Sequence, residues 1–314
     1  MALDSRKILI GLFSYNEGEN LKEMFEEVKR QSIKLNCRIV LLDESDEPKS
    51  LALVNEIMRE ESVINLVKGN VRRGKVFGYN LLYEYFVKYG YDILLHFDVD
   101  HELSDQVVPS LCRSIDSGFD VITCLNKPLK PKNLFQRLQY VMTKPATSQR
   151  ENGTFNFPLV GHNGAYSLRA VKVIGNIPTG GIDEEIYVLS KVLANNLSYT
   201  IVNAAISYFN LPGTLSDYIQ STRRVYGKVK AFNNWYCNSK VIINLSEPKQ
   251  MEKRIYSFPP LKLLVNSLFS DPIASLFLPF ILIVRWTVMR SAKIYDSDTW
   301  ETIETTKFLK ERNI

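Results

Sequence analysis

Four short polar clusters in the first hundred residues hold side chains suited to a nucleotide diphosphate. They are Ser14-Tyr15-Asn16-Glu17, Asp43-Glu44-Ser45-Asp46, Asn70-Val71-Arg72-Arg73-Gly74-Lys75 and Asp98-Val99-Asp100. An aromatic ring can stack on a base, and a carboxylate can accept hydrogen bonds from base N–H groups. A lysine and free main-chain amides can hold phosphate. Paired aspartates can hold a hard divalent cation, because Mg²⁺ and Mn²⁺ favour carboxylate and phosphate oxygens together. Singly, each cluster has a plainer explanation. An Asp-x-Asp pair is often a turn, a helix-start lysine is often only solvated, and a tyrosine is often core. The aspartates, however, end the almost uninterrupted apolar run Ile93–Phe97. Carboxylates at the end of a buried strand are costly unless something cationic meets them. Neither GxGxxG nor GxxxxGK[ST] occurs, so the usual dinucleotide and P-loop signatures are missing.

The segments between these clusters explain how they would meet. Apolar β-prone runs at 7–13, 38–42, 63–67, 91–97 and 121–125 predict strands. Helical periodicity at 19–35, 50–60, 75–89, 107–117, 134–142 and 183–194 predicts helices, and 199–204 a further strand. Strand–helix alternation implies an α/β fold with a mostly parallel sheet flanked by helices. Ligands on such sheets bind beyond the carboxyl ends of the strands, which is where all four clusters fall.

The same residues resemble glycosyltransferase family 2, the inverting enzymes with the GT-A (Rossmann-like) fold. Ile10 through Glu17 is similar to that family's nucleotide-binding start, with Phe13, Tyr15 and Glu17 in it. Leu41-Leu42-Asp43-Glu44-Ser45 is similar to its base-contacting acidic turn, and Asn70–Asn80, with Gly74 and Lys75, to its glycine-lysine segment. His96-Phe97-Asp98-Val99-Asp100 resembles its metal-binding Asp-x-Asp, and Gly161–Arg169 its sugar-pocket segment. The likeness covers about residues 7–230. It implies a nucleotide-diphosphate sugar donor contacted also by Asp98, with Mg²⁺ or Mn²⁺ on Asp98 and Asp100. It also implies a catalytic acid within Asp183-Glu184-Glu185. The family shows Glu-Asp there; two registers fit this chain, and the sequence does not separate Asp183 from Glu184. A second departure is Gln220-Ser221-Thr222-Arg223-Arg224. Membrane-associated relatives carry Gln-x-x-Arg-Trp, so Arg224 replaces the tryptophan while Arg223 is retained to reach a diphosphate.

Composition bounds the rest. The 314 residues are 45% apolar and 23% charged, which excludes general disorder. Cys37, Cys112, Cys124 and Cys237 form no CxxC pair and fit a reducing compartment. The net +5 is concentrated in residues 220–262, which hold nine Lys/Arg against two Asp/Glu. Aromatics interleave there, a pattern compatible with nucleic acid, but the apolar segments that follow favour a membrane surface. Segments 261–269 and 273–289 read as interfacial helices, with a single tilted span as the alternative, since Pro272–Val284 is short for crossing. The expectation is a catalytic domain over 1–230 and a membrane-associated extension over 231–314. It would act at the cytoplasmic face of the membrane on a lipid or lipid-linked acceptor, without nucleic acid. A catalytically silent module of the same fold, or a sugar nucleotidyltransferase, are the competing functions. The nucleotidyltransferase would want a basic loop after the first strand, and Ser14–Asn20 has no Lys or Arg.

Overall fold

A computed structural model describes residues 6–60, 63–67, 72–152, 163–238 and 271–293. The chain builds an eight-stranded sheet in the order β3-β2-β1-β4-β7-β6-β8-β5. The strands are β1 (Ile8–Ser14), β2 (Cys37–Asp43), β3 (Val63–Asn65), β4 (Ile93–Asp98), β5 (His101–Leu103), β6 (Val121–Pro128), β7 (Asn163–Ser167) and β8 (Tyr199–Phe209). β3, β2, β1 and β4 run parallel, as do β6 and β8. β7 is antiparallel to both β4 and β6, and β5 is antiparallel to β8. The helices are α1 (Glu19–Ser32), α2 (Pro48–Ile57), α3 (Lys75–Lys88), α4 (Val107–Asp116), α5 (Leu134–Glu151), α6 (Leu168–Ile174), α7 (Glu184–Ala194), α8 (Leu215–Asn238), α9 (Pro272–Leu276) and α10 (Leu278–Ser291). The expected α/β fold with a mostly parallel, helix-flanked sheet is the one formed.

Strand alternation divides the core into two layers. Ile8, Ile10 and Leu12 of β1 face one way and pack with Leu21, Phe25 and Val28 of α1 and Leu111 of α4. Leu9 and Phe13 face the other way and pack with Tyr79, Leu82 and Phe86 of α3. Period-two side-chain alternation thus buries both faces of the same strand. α3 lies unusually close to the sheet. A Cβ on Gly78 would stand 2.9 Å from the Phe13 ring, and one on Gly11 would stand 2.5 Å from Leu82.

Register sets the site. β1 sits between β2 and β4, so the chain order reverses beside it. Ser14 pairs with Asp43 and Phe13 with Asp98, which brings three strand ends abreast. A crevice at such a reversal is the usual ligand position in open α/β sheets.

Two features differ from the sequence expectation. α5 continues past Met142 through Pro145 to Glu151, held by β6 on one side and α9 on the other. The three-residue strand β5 has no apolar alternation from which to predict it. α8 extends from Leu215 to Asn238. Beyond it, Leu278 and Ile281 of α10 pack with Leu138 and Val141 of α5. Arg137 donates two hydrogen bonds to Asp271 at 2.8 and 2.9 Å. Pro279 stands in the first turn of α10, where its missing N–H is harmless, so it starts that helix.

Candidate active site

The β1 and β2 ends form one wall. Tyr15 is half-buried, with the Arg72 guanidinium 3.7 Å from its ring centre. Its hydroxyl donates to Asp46 at 3.3 Å. Asn16 donates to Asp46 at 2.6 Å, and its Oδ1 accepts the main-chain N–H groups of Asp46 and Glu47. Those contacts, the Asn16 bond first, hold the Asp46 carboxyl below its ordinary range. Asp43 is buried; burial raises its carboxyl pKa, against the hydrogen bonds it accepts from the Ser45 hydroxyl and main-chain N–H. Glu17 accepts from Asn20 at the start of α1. Phe13 is buried in the core, with its ring 4.6 Å from that of Tyr79.

Gly74 precedes α3 with φ 87 and ψ 170, a conformation essentially restricted to glycine. Its N–H and that of Arg73 both donate to the Glu44 carboxylate at 2.8 Å. Glu44 therefore ties the glycine-lysine segment to the end of β2. Asn70, at the start of that segment, lies outside the described residues, as do Gly161 and His162.

Lys75 occupies the centre. Its ammonium donates to Asp98 at 2.7 Å and lies 3.7 Å from Glu184. Burial would depress its pKa, but the charges of Asp98, Glu184 and Glu185 outweigh that and raise it. Glu184 is buried and accepts a hydrogen bond from the ammonium of Lys228 on α8 at 2.7 Å. Burial alone would raise the Glu184 pKa; Lys228 and Lys75 reverse the effect and hold it well below the usual carboxylate range. Its neighbours are placed differently. Asp183 precedes α7 and caps it, accepting the Ile186 N–H at 3.0 Å. Glu185 is half-buried; its charge helps raise the pKa of Lys75 and opposes the desolvation that lowers that of the half-buried Arg150.

At the end of β4, Asp98 and Asp100 are joined by His101, a residue the sequence pattern did not single out. One donor atom from each lies within 4.8 Å of the others. Two carboxylates and an imidazole at that spacing suit a divalent cation. The main-chain N–H of Asp98 donates to Asn163 Oδ1 at 2.8 Å.

Lys228 is the other residue missed from the sequence. Arg223 is exposed on α8 and Arg224 is half-buried. Lys228 lies one turn beyond Arg224, so helical spacing from the Gln-x-x-Arg segment was the available signal. On the far side of α8, Arg285 of α10 donates to the Tyr226 hydroxyl at 3.2 Å. α9 and α10 turn Ile273, Leu276, Phe277, Phe280, Ile283 and Trp286 to solvent, with exposures of 46–79%. No helix among the described residues is long and apolar enough to cross a membrane. The expected interfacial helix at 261–269 lies outside the described residues.

Comparison with known proteins gives a consistent result. The family model described as "Glycosyl transferase family 2" matches residues 10–175. No curated protein matches the chain. Among solved structures, a mannosyltransferase from Pyrobaculum calidifontis, in complex with GDP-Man and Mn²⁺, is similar with a TM-score of 0.56 and 14% identity. The match covers 91% of this chain and 84% of that one. TarS of S. aureus is similar with a TM-score of 0.53 and 13% identity, over 91% of this chain and 55% of that chain. Its 1-349 form gives 0.51 and 15%, over 86% and 74%. At such identities the likeness concerns the fold.

Proposed function

Since the chain belongs to glycosyl transferase family 2, we propose that it moves a sugar from a nucleotide-diphosphate donor to an acceptor hydroxyl, with inversion at the anomeric carbon. The observation that carries this is the convergence of Asp98, Lys75 and the Asp183–Glu185 segment on one crevice at the strand ends. Asp98 and Asp100 would hold Mg²⁺ or Mn²⁺, which when bound supplies positive charge for the departing diphosphate. Lys75 adds a fixed ammonium beside it, and Arg223 stands exposed on α8, where its side chain can reach solvent-borne phosphate. The Tyr15, Asp43 and Asp46 wall takes the base.

The general base is assigned to Asp183. Glu184 accepts from Lys228 and lies in the field of Lys75, and an acid held that far below neutrality is a weak proton acceptor. Glu185 lies in the field of Lys75 and Arg150. Asp183 stands at the N-terminus of α7, where its carboxylate accepts the Ile186 N–H, one residue before the lysine-bound Glu184. Glu184 then acts as a positioning residue that orients Lys75 and Lys228.

The acceptor is proposed to be a lipid or lipid-linked sugar at the cytoplasmic face of a membrane. The support is the apolar stripe of α9 and α10, spaced three and four residues apart, with Arg290 beside Trp286 at 4.0 Å. Such a face lies readily in the headgroup boundary. The test is to supply nucleotide sugars with Mn²⁺ and lipid acceptors, and to read diphosphate release and product anomeric configuration. Turnover that Asp100→Asn abolishes is expected. Donor binding without any turnover would favour the catalytically silent module, and retention of configuration would overturn the mechanism.

A further inference from the structure

Two carboxylates would suffice for the divalent-cation site proposed above, but the imidazole beside them is positioned by more than packing. His101 opens β5 opposite Phe209 of β8, and its side chain is only 6% exposed. Its Nε2 lies 3.7 Å from Asp100 Oδ1. That is too long for a hydrogen bond. It is near the separation of two atoms that share one ion, because ligands at about 2.0–2.2 Å from a metal stand about 3.0–3.5 Å apart at ordinary angles.

The far side of the ring is fixed by a buried relay. His101 Nδ1 is 2.8 Å from Ser207 Oγ. Ser207 Oγ accepts from Asn163 Nδ2, and Asn163 Oδ1 accepts the Asp98 main-chain N–H. An N–H donor requires an oxygen opposite it, so the Asn163 amide has one orientation. Both Asn163 and Ser207 are fully buried. The relay therefore links the main chain of one carboxylate to the ring of the histidine. When Nδ1–H donates to Ser207, the Nε2 lone pair is left facing Asp100. Metal-binding histidines are generally oriented in this way, by an outer partner on the second ring nitrogen.

We propose that His101 is a third protein ligand of the Asp98–Asp100 site, and that its imidazole shifts the site from Mg²⁺ toward first-row transition ions such as Mn²⁺. Mg²⁺ is bound almost wholly through oxygen, whereas a nitrogen donor adds affinity along the transition series. The inference rests on the metal-dependent part of the proposed function and goes beyond it, by naming a ligand and a metal preference.

The test uses the full chain without donor. Mn²⁺ binding is followed by loss of the free-ion electron paramagnetic resonance signal, and Mg²⁺ by competition. The wild type is expected to bind Mn²⁺ tighter than Mg²⁺. His101→Ala should weaken Mn²⁺ by roughly 10–100-fold and Mg²⁺ far less. Pulsed resonance on wild-type protein loaded with Mn²⁺ should show directly bound nitrogen, a readout that needs no variant to fold. Bound Mn²⁺ without nitrogen coupling overturns this proposal alone, as does equal weakening of both ions by His101→Ala. Absence of Mn²⁺ binding, or binding that Asp100→Asn leaves unchanged, overturns both this proposal and the metal role it rests on.

Discussion

Glu184 lies buried between two lysines, and its neutralisation is the sharpest test of that arrangement. The Glu184 and Lys228 side chains are 6% and 7% exposed, so water screens their interaction little. Glu184→Gln keeps the shape but leaves the Lys228 ammonium buried without its carboxylate. Lys75 retains Asp98 at 2.7 Å, so the loss falls mainly on Lys228. Removing one partner of a buried pair costs about 3–5 kcal/mol. In chains of 150–250 residues each kcal/mol moves the melting temperature by roughly 2–4 °C, and this longer chain should move less. For a loss of 3 kcal/mol, a fall of about 6 °C is therefore expected. The pH dependence has a definite sign. The Glu184 pKa is depressed in the fold, so its contribution is complete above the unfolded carboxylate value and disappears as pH falls toward the folded one. The wild type should thus lose stability from about pH 4.5 downward more steeply than Glu184→Gln. The assay is urea unfolding at pH 7 and pH 4 for wild type, Glu184→Gln, the single variants Glu184→Leu and Lys228→Leu, and the double variant Glu184→Leu/Lys228→Leu. The double variant should recover most of the loss, because an apolar pair removes both desolvation penalties. A Glu184→Gln change within about 0.5 kcal/mol, or a double variant equal to the sum of the singles, would refute the coupling.

Three further outcomes follow from the same geometry. Asp183→Asn should lower kcat by at least about 100-fold with donor affinity little changed, whereas Glu185→Gln should cost less; the reverse order in steady-state kinetics would move the base to Glu185. Gly74→Ala should destabilise by about 1–3 kcal/mol in chemical denaturation and raise the donor KM, because φ 87 with ψ 170 strains any Cβ and the segment carries Lys75. Phe280→Ser/Ile283→Ser/Trp286→Ser, all at exposed positions, should reduce sedimentation with anionic vesicles while leaving the melting temperature near wild type; unchanged vesicle binding would remove α10 from the membrane contact.

The site was legible wherever a buried strand delivers it. Ile8–Phe13, Ile39–Leu42 and Ile93–Phe97 are nearly continuous apolar runs, as strands covered on both faces must be, and the polar residue that ends each run lies at the crevice. Parallel pairing in register does the rest, setting Ser14, Asp43 and Asp98 abreast. His101 was not legible for the converse reason. Its strand is three residues long, and it is defined by pairing with β8, more than a hundred positions later. The outer partners of its ring, Asn163 and Ser207, stand on β7 and β8, so no local pattern joins them. Phe13 shows the limit of reading outward from a strand end. The alternation that makes β1 a strand also turns this ring into the core against Tyr79.

The basic block beyond residue 219 shows the same limit in its electrostatics. Charge counted along the sequence treats its cations alike, and so suggests a uniform anion-seeking surface. In the fold they separate by helical phase. Arg223 is exposed, whereas Lys228 is buried on Glu184, and Lys230 donates to the Ala292 carbonyl at 2.6 Å, just past the end of α10. An ammonium paired inside the protein adds to net charge but little to the field felt by a phosphate or lipid outside. Two of the block's cations thus hold α8 to the catalytic crevice on one side and to the apolar tail on the other. The helix joins the acids at the sheet edge to the apolar stripe of α10.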